Sequence, residues 1–143
     1  MTDLSAFAEL SARDHGLCVL NTLRGDGSIQ SSVVNAGVMP HPTTGRPVVA
    51  LVAIGSTRKL RNLRADPRTS VVAHAGWQWL TVEGTAEIIG PDNADAEALR
   101  VLLRNVFTAA GGTHDDWDTY DRVMREEGRV AVLVTPERVY GNI

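Results

Sequence analysis

The chain is short of several things, and each shortage excludes something. It has one cysteine in 143 residues, Cys18, so no internal disulfide can form. Cys18 lies in the apolar run "GLCVLNTL", where a free thiol behaves as a small buried hydrophobe. No apolar stretch approaches the roughly 20 residues that span a bilayer. The opening residues, "MTDLSAFAELSARDHG", have neither a basic start nor a long apolar segment, so a secretory signal is not expected and the cytoplasm is. His15, His41, His74 and His114 show no metal-ligand spacing, and no cysteine pairs accompany them. The acidic run "HDDWDTYD" (114–121) lacks the calcium-loop pattern and reads as the first turn of a helix. A G-x-S-x-G elbow is also missing. Positive charge is not in excess: 14 Lys and Arg against 17 Asp and Glu leave a net charge of -3, which argues against a nucleic-acid partner.

What is present suits one domain, 1–143, large enough to bury a core without staples. Leu4, Phe7, Ala8 and Leu10 share the stripe of an amphipathic helix over 3–14, stopped by Gly16. Two strand-like runs follow, 16–23 and 28–38, joined by the turn "RGDG" and therefore antiparallel. "MPHPTTG" (39–45) is a second turn, and "RPVVALVAI" (46–54) is so continuously apolar that both its faces must be covered. Further strands are expected at 69–75 and 77–89, the second with a bulge or bend at Gly84. A helix from near 93 to 109 would bury Ala98, Leu99, Leu102, Leu103 and Val106. Another spans 114–127, capped by Thr113 or His114-Asp115 and stopped by Gly128. "RVAVLVTPERVYGNI" is the last strand, its end demoted by Pro136 to an edge or turn. Six short strands in so small a chain favour a barrel that hides its edges by closure.

The concentration of charge in "GSTRKLRNLRADPRTSVV" (55–72) is the feature that calls for chemistry. Arg58, Lys59, Arg61, Arg64 and Arg68 fall within eleven residues of a mildly acidic chain. Gly55 breaks the preceding strand, Ser56 or Thr57 can cap a helix, and Asp66-Pro67 ends it. Arg58 and Lys59 then stand in the first turn, where acidic residues belong. Cations there make physical sense when a phosphate arrives to take the free N–H groups and both charges. The plainer alternative is a solvated basic face. With no nucleophile or acid–base pair in evidence, any chemistry would be carried by a cofactor.

This segment, following a buried strand, resembles the pyridoxamine-phosphate-oxidase-like, flavin-reductase split-barrel superfamily, in which S/T-x-R-K-x-x-N-L-x-x-D/N-P-R grips a cofactor phosphate. "LNTLRGDGSIQSSVV" is similar to that family's first hairpin, and "GWQWLTVEGTAEI" to its strand ending in E-G-x-A. "HDDWDTYDRVM" and "RVAVLVTPERVYG" resemble the actinobacterial branch that uses the deazaflavin coenzyme F420. The resemblance implies a mostly β fold with flanking helices, a six-stranded antiparallel split β-barrel of Greek-key topology. It implies that Thr57, Arg58 and Lys59 bind the cofactor phosphate with Ser56 nearby, and that Arg61 and Asn62 hold the phosphate or the acidic tail of F420. Gln30, Ser31, Ser32 and Val33 would line the ring by backbone and side-chain contacts, with Val52 and Ala53 beneath it near the end of the third strand. It implies a homodimer with both cofactor sites at the interface, so that Trp77 or Trp79 reaches the partner's cofactor and Tyr140 closes the pocket. The activity so implied is hydride transfer from reduced F420 to a small unsaturated or conjugated substrate, with no residue standing out as proton donor. The rival is an FMN protein of the same superfamily, an oxidase of a pyridoxamine-like amine or a flavin reductase. A third reading is a module that binds or stores F420 without turnover.

Overall fold

Period-two burial and short turns decide the architecture. The computed structural model describes residues 3–143. The chain runs through α1 (Ser5–Ala12), β1 (Leu17–Leu23), β2 (Ile29–Pro40), β3 (Pro47–Ile54), α2 (Arg58–Ala65), β4 (Arg68–Ala75), β5 (Gln78–Ile89), α3 (Ala96–Ala109), α4 (Trp117–Glu126) and β6 (Arg129–Gly141). The six strands close into an antiparallel barrel in the order β1-β2-β3-β6-β5-β4, with β4 returning to β1. This is the split-barrel architecture that the resemblance implies. No helix among the described residues is long and apolar enough to cross a membrane.

Alternate residues point inward, and Leu20, Val34, Leu51, Val71, Val82 and Val132 fill the barrel. Two helices close its mouths with side chains of the same core: α1 with Phe7 and Leu10, joined by Leu4 just before it, and α2 with Leu60 and Leu63. A second core lies outside the barrel. There Val48 and Ala50 of β3 and Ala131 and Leu133 of β6 are covered by Leu102, Leu103 and Val106 of α3 and Tyr120 of α4. Strands buried on both faces read as continuous apolar runs, which is why "VVALVA" and "VAVLV" show no alternation. The close approach of α3 to β2 requires Gly37, where any Cβ would overlap the Ala109 carbonyl.

Local details depart from the sequence pattern in physically readable ways. β2 runs through Met39 and Pro40, so the turn begins at His41. α3 begins at Ala96 rather than near 93, because the Asp95 carboxylate accepts from the Ala98 N–H at 2.8 Å. Ala98 faces solvent, while Leu102, Leu103 and Val106 are buried. α4 is capped by Asp116, not by Thr113 or His114-Asp115, and starts at Trp117. Trp77 lies in the turn before β5. Pro136 neither ends β6 nor makes an edge. Glu83 faces Arg138 and Gly84 faces Pro136, so Glu137 is the extra residue of a bulge, and pairing continues to Gly141.

Candidate functional site

The site is built at the corner between β3 and α2. The Gly55 N–H donates to the Gly128 carbonyl at 3.0 Å, and Arg64 returns from the helix to donate to the Gly55 carbonyl at 2.7 Å. Thr57 occupies the N-cap position, yet its hydroxyl donates backwards to the Ile54 carbonyl at 2.9 Å and caps nothing. The first N–H bonded within the helix is that of Arg61, to the Thr57 carbonyl at 3.1 Å. The N–H groups of Arg58, Lys59 and Leu60 therefore have no partner among the described residues. The first turn holds no acidic residue. Positive potential from the helix end is reinforced there instead of balanced.

The five cations divide by what they touch. Arg68 is engaged by Asp66, with its Nε at 3.0 Å and Nη2 at 2.7 Å from the carboxylate, and this bond holds Asp66 below the usual carboxylate range. Arg64 braces the corner, as above. Arg58, Lys59 and Arg61 make no ion pair among the described residues. Arg58 and Arg61 are exposed and Lys59 is half-buried. Asn62, expected beside them, points the other way. It is buried, and its amide donates to Thr22 at 3.0 Å and Gln30 at 2.9 Å, pinning α2 to the hairpin of β1 and β2. The helical period separates Asn62 from the solvent-facing cations on either side of it.

Beside the corner the barrel opens. β2 pairs with β3 only from Ala36 and Leu51 to Pro40 and Pro47. Below that point Ile29–Asn35 pairs only with β1, and Val52, Ala53 and Ile54 pair only with β6. The two strands part and leave a split with main-chain edges on both sides. A cavity of about 220 Å³ lies at its head, lined by Asn35, Val52, Phe107, Tyr120, Met124 and Arg129 among others. Asn35 is fixed there by its amide, which donates to the carbonyls of His15 at 2.9 Å and Ala110 at 3.1 Å. The Tyr120 hydroxyl donates to the Leu103 carbonyl at 2.9 Å, and burial pushes its pKa up to about 12.

The expected ring-lining residues divide between the two faces of their strands. Strand alternation turns Ser31 and Val33 outward while Gln30 and Ser32 face in, so four consecutive side chains cannot share one surface. Ser31 donates to Asn21 at 2.6 Å, and Asn21 in turn donates to Ser70 at 3.0 Å. Val52 faces the cavity, but Ala53 is only 3% exposed and packs inside the barrel. Trp77 and Trp79 lie at the far end of β4, whose eight residues span about 25 Å. Within one chain neither reaches the corner. Trp77 is 94% exposed in its turn, and Trp79 meets Tyr140 edge-on with ring centroids 6.1 Å apart. The Tyr140 hydroxyl donates to Glu83 at 2.7 Å, which raises its pKa. Asn35, Phe107, Tyr120, Met124 and Arg129 were not foreseen, because they come from segments that meet only through the barrel's closure. No cluster of three or more His, Cys, Asp or Glu is arranged to hold a metal among the described residues.

Solved structures similar to this chain share its fold at low identity. A conserved hypothetical protein from Mycobacterium tuberculosis has 22% identity and a TM-score of 0.69, the match covering 99% of this chain and 84% of that one. A structure described as an F420 reductase has 19% identity and a TM-score of 0.60, covering 87% and 88%. A pyridoxamine 5'-phosphate oxidase-related, FMN binding protein from Nostoc punctiforme has 12% identity and a TM-score of 0.64, covering 97% and 84%. Such likenesses speak to the fold. The sequence model of the pyridoxamine 5'-phosphate oxidase family matches residues 5–142, so the chain belongs to that family.

Proposed function

We propose that this protein is a flavin-type oxidoreductase that holds the phosphate of its cofactor at the start of α2 and the ring in the split between β2 and β3. The observation that carries the reading is the uncapped first turn of α2, where Arg58, Lys59 and the N–H groups beside them have no partner among the described residues. These residues fit a phosphate: N–H groups, two cations and the Ser56 hydroxyl are all available to its oxygens. Ser31, Val33 and Val52, with the main-chain edges of β2 and β3, would hold the ring. When bound, such a cofactor supplies hydride transfer to or from a small organic substrate. The chain's share is to align the ring and substrate at contact distance and to keep water out of the cavity headed by Asn35 and Phe107. The proton comes from solvent in this reading, since Tyr120 already donates to a buried carbonyl.

Family membership favours FMN, and with it an oxidase or flavin-reductase type of activity. A specific observation supports F420 as the second reading. Arg61 lies one turn beyond Arg58, exposed and unpaired among the described residues, and extends the positive surface past the reach of a single phosphate. An anionic tail would use that extension, and the substrate would then be a small unsaturated or conjugated compound.

A homodimer is part of the proposal. Val33, Val19 and Val72 stand in one register row on the outside of the barrel, with Leu17, Ile29 and Val33 exposed, so a second copy has apolar surface to cover. In such a dimer Trp77, Trp79 and Tyr140 of one chain would approach the split of the other.

Titration of the purified protein with FMN and with F420, followed by absorbance and fluorescence, tests the assignment. Saturable FMN binding supports the first reading and F420 binding alone supports the second. Binding of neither refutes both. Tight F420 binding without turnover of enones, quinones or nitro compounds would mark a storage module.

A further inference from the structure

A second cavity, of about 550 Å³, lies between the N-terminal half of α3 and the C-terminal half of α4, walled on one side by Gly128 and Arg129. That volume is in the range of small-molecule sites. Leu99, Leu103 and Met124 give it an apolar floor. Its charged rim is more selective. Both acids on it are already engaged by guanidinium groups. Asp121, only 8% exposed, accepts from Arg104 Nε at 2.9 Å and from Arg100 Nη1 at 3.5 Å, and Glu97 accepts from Arg100.

The remaining rim cations have donors to spare. Among the described residues Arg129 uses only its Nε, on Glu127 at 2.9 Å. Arg125 makes no ion pair among the described residues. A ligand entering here meets an apolar floor, neutralised acids and unengaged guanidinium N–H groups. A cation would find no free carboxylate, and a neutral molecule would leave those N–H groups to solvent. We propose that the cavity between α3 and α4 binds a small amphipathic organic anion, its apolar body on Leu99, Leu103 and Met124 and its acid group on Arg125 and Arg129. Arg58 and Lys59 do not line this cavity, so its anion contacts are distinct from the phosphate corner, although Met124 and Arg129 also line the smaller cavity at the head of the split.

The test uses 8-anilinonaphthalene-1-sulfonate and its uncharged relative N-phenyl-1-naphthylamine, followed by fluorescence on the intact chain. Saturable binding of the sulfonate is expected, with displacement by octanoate. Arg125→Glu, on an exposed position, should weaken sulfonate binding at least tenfold and leave the uncharged dye unchanged. Leu99→Trp should fill the cavity and abolish binding of the sulfonate. If Leu99→Trp fails to fold by circular dichroism, Arg125→Glu decides the matter alone. An alanine variant at both Arg58 and Lys59 should bind the sulfonate as the parent does. The proposal is overturned by absence of saturable sulfonate binding, by binding that survives a folded Leu99→Trp, by indifference to Arg125→Glu, or by loss in the Arg58 and Lys59 variant.

Discussion

The Thr57 hydroxyl donates to the Ile54 carbonyl at 2.9 Å, so the residue that begins α2 turns its oxygen away from the helix it should cap. The strand end is held, and the helix end is left open to an incoming anion. Thr57→Asp would reverse this arrangement by placing a carboxylate on the free N–H groups. Capping by Asp and its favourable dipole interaction are together worth about 0.5–1 kcal/mol. The expected outcome is a melting temperature equal to or above that of the parent, with binding of the phosphate-bearing cofactor weakened at least tenfold. A thermal melt paired with a cofactor titration reads both. A variant that binds as tightly as the parent shows that the first turn is not the phosphate site.

Gly37 lies where α3 crosses β2, and a methyl group there would overlap the Ala109 carbonyl. Gly37→Ala should therefore push α3 off the barrel and cost about 1–3 kcal/mol, the usual range for overpacking. Urea denaturation measures it. Unchanged stability would mean that α3 is free to shift at no cost.

Much of this was legible in the chain, and the rest was hidden for identifiable reasons. The element order could be read because turns and stops are local: "RGDG", Asp66-Pro67 and Gly128 each act on their own neighbours. The basic corner was equally legible, since cations in a first turn are anomalous without knowledge of the fold. What could not be read depends on closure. Ala53 and Val52 are adjacent in an unbroken apolar run, and only the barrel decides which of them faces the cavity. Asn62 sits among cations in sequence but faces Thr22 and Gln30 in space. Pro136 signals a strand end, whereas the bulge opposite Gly84 lets β6 continue.

Asp121 links α3 to α4 and gives a pH-dependent stability with a definite sign. The hydrogen bond from Arg104, supported by the charges of Arg104 and Arg100, holds its carboxyl below the usual range against the opposing effect of burial. A carboxylate whose folded pKa is depressed contributes stability above its unfolded pKa and loses it as pH falls through the folded value. Stability by urea titration should decline below about pH 4. Asp121→Asn should be less stable at neutral pH and show a shallower acid decline, though not a flat one, since Asp66 and Asp116 are depressed as well. An unchanged acid slope in that variant would remove Asp121 from the explanation.

Cys18 is 3% exposed, and burial pushes its thiol up to about 12, with the Asp14 charge adding to the shift. At neutral pH it is neither accessible nor a thiolate. Labelling by 5,5'-dithiobis(2-nitrobenzoate) should be negligible in the native protein and complete in denaturant. Rapid labelling of the native protein would show that β1 opens locally.

The most direct test compares FMN with riboflavin, and F420 with its ring alcohol lacking the phosphate, on the parent protein and on Lys59→Ala. Losing one charge-assisted hydrogen bond to the phosphate is expected to weaken the phosphate-bearing cofactor by about 1–3 kcal/mol. Affinity for the molecule without phosphate should stay unchanged, so that the advantage conferred by the phosphate shrinks in the variant. If Lys59→Ala weakens both members of a pair equally, or neither, the cation at the start of α2 is not holding a phosphate.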